Sequence, residues 1–472
     1  MTTWLPTDVS GSGPFYVRLA DRIEQDIVRG ALKPGDKLPP QRNLAFDIGV
    51  TIGTVGRAYA LARSRGLISG EVGRGTYILE QREDADASDL VARPFVFAGT
   101  RAPYVSGNAT RFDSSAAPYV EQTQAIAQIT QAILTDHPHE IANYTRTLPT
   151  HWLEAGSAWL SVGKWQPHPD NVVPTLGGHA ALVAAALTVT NPGDRIILEE
   201  LSYSSFGRSL NLAGRRTVTV AIDDQGVIPE DLERVCAQLH PKLLFIMPGM
   251  QNPTLGSLTA ERRHAIADIA RRHNLWLIED VIYGALADDG NISLAELAPE
   301  RTFRVDGLSK SVAAGVRSGW MCCPPGLKAR VHAAHKLMTG GLAFLLAELS
   351  ARLVLSGEAQ TIRAAVRAEI SARHNIVCAG LDGFDFVSHP LCPYVWLAVP
   401  EPWQSSTLKK AAENEGVLID DEDEFKSGRG ERAYHRVRIG FTVPTSRQGV
   451  QTGIATLRSL MDGGNAVYHS YS

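Results

Sequence analysis

Two groups suited to covalent chemistry lie on successive stretches of this chain. Lys310 closes Gly307-Leu308-Ser309-Lys310, and upstream the apolar run Leu275-Trp276-Leu277-Ile278 ends in Glu279-Asp280-Val281-Ile282-Tyr283. A short run that is apolar throughout reads as a buried strand, and such a strand would deliver the Asp280 carboxylate to its end. An amine on a later turn and a buried anion are what pyridoxal 5'-phosphate requires: the amine forms a Schiff base, and the anion sits beneath the pyridine nitrogen. Neither residue carries this alone. A serine–lysine pair occurs on any surface loop, and an aspartate at a strand end is more often a cap. The order of segments carries the inference: Thr175-Leu176-Gly177-Gly178-His179 opening a helix, Tyr203, Gln251-Asn252-Pro253-Thr254, the Asp280 and Lys310 segments, then Arg317-Ser318-Gly319.

The elements that must position these groups follow from patterning. Arg195-Ile196-Ile197-Leu198 and Leu243-Leu244-Phe245-Ile246-Met247 are, like the run before Asp280, short and apolar throughout. Segments of helical period separate them, as from Thr259, a candidate N-cap, to His273. Strands apolar on both faces alternating with helices predict an α/β fold with a mainly parallel sheet. Ligands in such folds bind beyond the carboxyl ends of the strands, where Asn252 and Asp280 fall.

Bulk properties bound the rest. At 472 residues, two or three domains are expected. With 44% apolar and 20% charged residues the composition is that of a globular protein, and no apolar run approaches the roughly eighteen residues of a membrane span. No secretory signal is visible in Met1-Thr2-Thr3-Trp4-Leu5-Pro6, so a cytoplasmic protein without a membrane partner is expected. The five cysteines have no metal-ligand spacing and read as free thiols; no metal site is expected. The net charge of −4 gives no global attraction to nucleic acid, and residues 1–80, with ten Lys and Arg against eight Asp and Glu, permit DNA binding without arguing for it.

Those first eighty residues have their own pattern. Phe15, Leu19, Ile23 and Ile27 form one stripe of a helix that stops at Gly30. Pro34-Gly35 marks a turn, and Pro39-Pro40 leads into a short second helix closed by Gly49. Thr51 caps a third helix with Ile52, Val55, Tyr59 and Ala62 as its buried stripe and Thr54 and Arg57 on the other face. Leu67-Ile68-Ser69-Gly70 and Thr76-Tyr77-Ile78-Leu79 flank Gly73-Arg74-Gly75 as a β-hairpin. Three helices and a hairpin make a winged helix-turn-helix, whose third helix enters the major groove of double-stranded DNA. The acidic stretch Glu83-Asp84-Ala85-Asp86-Ala87-Ser88-Asp89 reads as a linker. The expected division is a winged helix over 10–80, a linker over 81–109 and the α/β domain over 110–462.

These motifs resemble known families. Ala31 to Pro39 with Arg42, Thr54-Val55 with Ala58-Tyr59, and Gly73-Arg74-Gly75-Thr76 are similar to the N-terminal domain of GntR regulators. The six downstream segments resemble a fold-type I pyridoxal phosphate enzyme of the aminotransferase class, and the two together resemble the MocR subfamily of transcriptional regulators. The resemblance implies that Lys310 carries the Schiff base and Asp280 pairs with the pyridine nitrogen. It implies that Asn252 and Tyr283 donate to the ring's phenolic oxygen and that Tyr203 stacks on the ring. Gly177, Gly178 and His179 would hold the phosphate with Arg317, and Ser309 would also bind the cofactor. Arg438, in Arg436-Val437-Arg438-Ile439-Gly440-Phe441, takes the place of an arginine that binds a ligand carboxylate. DNA contacts would come from Arg42, Thr51, Thr54, Arg57 and the wing-tip Arg74. The implied function is a homodimeric regulator that senses an amine or amino acid by forming an external aldimine. A working aminotransferase with a DNA-binding appendage is the competing class, and a sensor of the cofactor itself is a third. Three positions depart from the families: Thr51-Ile52-Gly53 stands where GntR proteins carry Ser-Arg, Gly307 replaces a hydroxyl residue three before the lysine, and the segment around Tyr144 is altered.

Overall fold

The computed structural model describes residues 4–6, 14–33, 35–64, 67–71, 75–78, 109–287, 290–427 and 432–464. The chain divides into two compact units, Met1–Phe95 and Val96–Ser472. The expectations for the Arg74 wing tip and for the acidic stretch from Glu80 to Pro94 lie outside the described residues.

In the first unit, helix α1 (Phe15–Val28) buries Leu19 and Ile23 on the expected stripe. Strand β1 (Lys37–Leu38) precedes helix α2 (Gln41–Asp47), and helix α3 spans Ile52–Ser64. The Thr51 hydroxyl accepts from the Thr54 amide at 3.2 Å, which satisfies a donor that the first turn of α3 leaves open. The Tyr59 hydroxyl donates to the Pro39 carbonyl at 2.8 Å and ties α3 to the turn ahead of α2. Ile52 corrects the expected stripe. It is 52% exposed, because that face of α3 is covered only from Val55 onward, where Val55, Ala58, Tyr59 and Ala62 are buried. Strands β2 (Ile68–Glu71) and β3 (Gly75–Ile78) pair antiparallel, and β1 joins the far edge of β3. The unit is a winged helix-turn-helix.

The second unit is built on a seven-stranded sheet. In chain order its strands are β4 (Val172–Thr175), β5 (Arg195–Glu199), β6 (Arg216–Val220), β7 (Leu243–Ile246), β8 (Trp276–Asp280), β9 (Thr302–Gly307) and β10 (Gly319–Cys322). They lie in the order β4-β10-β9-β8-β7-β5-β6, and β10 alone runs against its neighbours. Helices cover both faces. Helix α4 (Thr150–Leu160) packs on β4, β9 and β10, and α5 (Gly178–Val189) on β8, β9 and β10. Neighbouring residues of β9 show that these are opposite sides. Val305 lies beneath Gly178 of α5, whereas Asp306 shares a register position with Trp320, against which a Cβ on Gly156 of α4 would collide. Helix α6 (Ser204–Leu212) follows β5, and α7 (Lys328–Thr339) packs on α5. The long α8 (Glu358–Gly380) leads into a four-stranded antiparallel sheet of β11 (Phe386–Val387), β12 (Tyr394–Ala398), β13 (Asp420–Asp421) and β14 (Arg436–Gly440), ordered β11-β12-β14-β13. Upstream, Thr110–Arg111 pairs in parallel with Val417–Leu418, and this pairing carries the chain on to Ser114 and Ser115.

Candidate functional site

At the carboxyl ends of β8 and β9 a cavity of about 240 Å³ opens. Asp280 ends β8 with 5% exposure and accepts from the Ile282 amide at 3.1 Å. Burial pushes its carboxyl up to about 6, against the pull of that amide and of the Lys310 charge. Lys310 stands on the turn after β9 and lines the same cavity. Its Nζ donates to the Ser115 hydroxyl at 3.2 Å, and that oxygen lies 2.8 Å from the Tyr283 hydroxyl. Burial pushes the Tyr283 phenol up to about 12, so it stays protonated and able to donate.

The mouth of α5 forms a second wall. Gly177, the residue before the helix, has φ +80°, which a side chain resists, and a Cβ there would sit 3.7 Å from the Arg317 carbonyl carbon. Gly177 does not itself line the cavity; it sets the turn that brings Gly178 and His179 to it. The Leu176 amide donates to His335 Nε2 of α7 at 3.1 Å. His179 Nε2 pairs with the Ser209 hydroxyl at 3.0 Å, and its ring meets Tyr203 edge-on with centroids 5.7 Å apart. Burial and then the Arg317 charge lower the His179 pKa. Ser309 and Arg317 line this wall as well. Gly307 has a packing explanation: it pairs with Gly319, and a Cβ on it would approach the Ser318 carbonyl oxygen to 2.8 Å. The sheet leaves no room there for a hydroxyl residue.

Arg438 of β14 enters from the opposite side, 2% exposed. Its guanidinium donates to Asp420 at 2.6 Å and to Asn252 Oδ1 at 2.8 Å, and lies 4.7 Å over the Phe425 ring. Asn252 Oδ1 is thereby engaged, which leaves its amide nitrogen for donation into the cavity. Among the described residues, Arg438 Nε and His179 Nδ1 are buried with no partner. Ser115, Glu424 and Phe425 also line the cavity, and sequence reasoning did not find them.

A phosphorylated pyridine aldehyde fits these residues. A buried carboxylate forms no salt bridge among the described residues, an amine stands within the same cavity, and backbone donors at the start of α5 with Arg317 offer an anion seat. These two unmet buried nitrogens remain for a ligand. Among the described residues no group of His, Cys, Asp and Glu could hold a metal ion. No described helix is long and apolar enough to cross a membrane.

In the first unit Arg42, Thr51 and Arg57 are exposed and Thr54 is half-buried, at the start of α2 and along the first turns of α3. In the second, Tyr144 is 88% exposed and lies outside the cavity lining of its own chain.

Comparison with known proteins adds family models, relatives and a solved structure. A family model for aminotransferase class I and II matches residues 106–451, and one for bacterial regulatory proteins of the gntR family matches residues 15–78. The uncharacterized HTH-type transcriptional regulator YdeF of Bacillus subtilis is 26% identical over 463 residues, 98% of this chain and 97% of its own. The probable rhizopine catabolism regulatory protein MocR of Rhizobium meliloti is 26% identical over 346 residues, 68% of each chain. Among solved structures, the α-aminoadipate aminotransferase LysN of Thermus thermophilus, complexed with N-(5'-phosphopyridoxyl)-L-leucine, has a TM-score of 0.67 at 22% identity. It covers 75% of this chain and 92% of its own, and so shares the fold of the second unit.

Proposed function

Because the chain belongs to the class I and II aminotransferase family and joins that domain to a gntR-type winged helix, the MocR arrangement, we propose that it is a pyridoxal 5'-phosphate-dependent transcriptional regulator that binds promoter DNA as a homodimer and responds to an amine or amino acid. One observation carries this reading: an exposed α3 face stands on the same chain as a cavity with an amine, a buried carboxylate and a buried arginine.

When bound, the cofactor supplies an aldehyde that condenses reversibly with amines and a ring that withdraws electrons. The chain's own residues do the rest. Lys310 would hold the aldehyde, with Ser115 and Tyr283 orienting Nζ. Asp280 would offer a buried anion to the ring nitrogen, and Asn252 and Tyr283 would donate to the ring oxygen. Gly178, His179, Ser309 and Arg317 would hold the phosphate, and Tyr203 would lie against the ring. Arg438 selects amines that carry a carboxylate, its grip tempered by the charge of Asp420 at 2.6 Å. Arg42, Thr51, Thr54 and Arg57 face DNA, with Arg74 expected at the wing.

The completeness of this residue set also supports a working aminotransferase, and one experiment separates the two. The cofactor-loaded protein is titrated with a panel of amines and amino acids while its visible absorbance, its binding to its own promoter DNA and keto-acid formation are followed. The regulator reading expects one amine to change both spectrum and DNA binding with little turnover. Rapid multiple turnover, with DNA binding indifferent to every amine, would establish the enzyme instead.

A further inference from the structure

Across the sheet from the cofactor cavity lies a second one, of about 250 Å³. A single turn divides them: Asp280, Ile282 and Tyr283 line the first, and Val281, Gly284 and Ala285 line the second. The end of β9 is shared in the same way, Asp306 opening on the second cavity and Ser309 and Lys310 on the first.

The second cavity is cationic. Four arginines line it, at positions 263, 304, 363 and 367, and two of these are spoken for. Arg304 pairs with Glu279 at 3.1 Å, and Arg263 donates to the carbonyls of Leu258, Ile292 and Pro248. Arg363 and Arg367, one turn apart on α8, form no salt bridge among the described residues. Trp159 supplies an independent sign of a ligand site. It is 6% exposed, its ring carries the Arg363 guanidinium at 5.4 Å, and its buried indole N–H has no acceptor among the described residues. Buried donors rarely go unmet, because an unmade hydrogen bond is costly. Among the described lining residues one acid, Asp306, faces the four arginines; burial pushes its carboxyl up to about 8, against the pull of Arg304 and Arg363.

We propose that this cavity is a second ligand site, for a small molecule presenting a carboxylate or phosphate oxyanion to Arg363, Arg367 and the Trp159 indole N–H, and that its occupancy is felt at the cofactor through the Val281–Tyr283 turn. Guanidinium pairs suit planar or tetrahedral oxyanions. The proposal does not depend on whether the chain regulates transcription, since binding is measured directly.

The test uses the full chain loaded with pyridoxal 5'-phosphate, so that the phosphate seat at α5 is filled. Inorganic phosphate and, separately, succinate are titrated by calorimetry while the visible absorbance is recorded. Saturable binding of either one is expected, and which of the two binds tells whether the oxyanion is phosphate or carboxylate. Arg363→Gln combined with Arg367→Gln should weaken it by about tenfold or more, the loss of charge-assisted hydrogen bonds, without changing the absorbance of the unliganded holoprotein. Trp159→Phe keeps the ring but removes the donor, and should weaken binding several-fold. If the double variant fails to hold cofactor, Trp159→Phe decides, and unchanged affinity there overturns the site. No saturable binding with either anion overturns it too. So does binding that survives the α8 substitutions but is lost in Arg438→Leu, which would place the anion in the first cavity.

Discussion

Adjacent acids at the end of β8 show how a strand's alternation separates two roles. Glu279 and Asp280 are both buried, but they face opposite sides of the sheet. Burial alone would raise Glu279, yet the Arg304 charge, the Ser293 hydroxyl and the Leu294 amide hold it below its ordinary value, so it is a satisfied structural anion. Asp280 has one amide donor and a raised pKa of about 6, the state of a carboxylate awaiting a cation. A folded-state pKa raised above the unfolded value favours the fold while the group is protonated, and that contribution is lost as pH rises from about 4 through 6. The cofactor-free protein should therefore lose roughly 3 kcal/mol across that window on account of Asp280. Asp280→Asn should abolish this part of the pH dependence, while weakening cofactor binding. Denaturation of both cofactor-free proteins at about pH 4 and pH 7.5 measures it; parallel curves would mean that Asp280 is only a strand cap. Lys310→Ala makes a complementary prediction. Borohydride should fix the cofactor onto the parent chain and not onto the variant, which should still retain some cofactor through Arg317 and the start of α5. Covalent label on the variant, found by mass spectrometry, would move the Schiff base elsewhere.

Elements that carry a local signal were legible in the sequence, and those assembled from distant pieces were not. β8 and its terminal acid, the Thr259 cap and Gly177 before α5 all announce themselves, because burial, capping and positive φ each restrict residue choice. Ser115 and Phe425 have no such mark. They reach the cavity through the pairing of Thr110–Arg111 with Val417–Leu418 and through the short turn after β13, neither of which has a pattern of its own. His335 was missed for the same reason: its partner, the Leu176 amide, is distant in sequence and its own helix looks ordinary. Burial lowers its pKa to about 4, so it is a neutral acceptor that fixes the turn before Gly177. His335→Phe leaves that amide unmet, at about 1–3 kcal/mol. Cofactor affinity should fall with little change in absorbance maximum, and a variant with parental affinity would show that the turn stands unaided. On α3 the error at Ile52 is informative. Its exposure at the first turn, where GntR relatives carry arginine, offers an apolar surface suited to a thymine methyl rather than to guanine. Ile52→Arg should shift preference in a binding-site selection toward G·C at one position per half-site. Arg57→Ala should relax specificity if the adjacent turn has taken over base reading, whereas equal losses on specific and random DNA would reduce Arg57 to a phosphate contact.

At the scale of the whole molecule, the regulator reading stands or falls on a coupling free energy between two units. An amine can shift DNA affinity only as far as it prefers one state of the dimer over another, typically about 1–3 kcal/mol or roughly 5–150-fold. Linkage makes that factor reciprocal. If the effector changes promoter affinity by some factor, saturating promoter DNA must change effector affinity by the same factor and in the same direction. The two halves are measured independently: promoter affinity by fluorescence anisotropy with and without the amine, and amine affinity from the cofactor's absorbance with and without DNA. In Lys310→Ala the amine must condense with the free aldehyde instead of displacing a lysine, so both shifts should appear more slowly and still match in size. If Arg438, a buried cation on the cavity wall, takes the proposed carboxylate, Arg438→Leu should abolish the response to carboxylate-bearing effectors and retain that to simple amines of similar size. DNA affinity that moves with the amine while amine affinity ignores DNA would break the cycle. The change would then reflect amine bound outside the cofactor cavity, and this domain would not be the sensor.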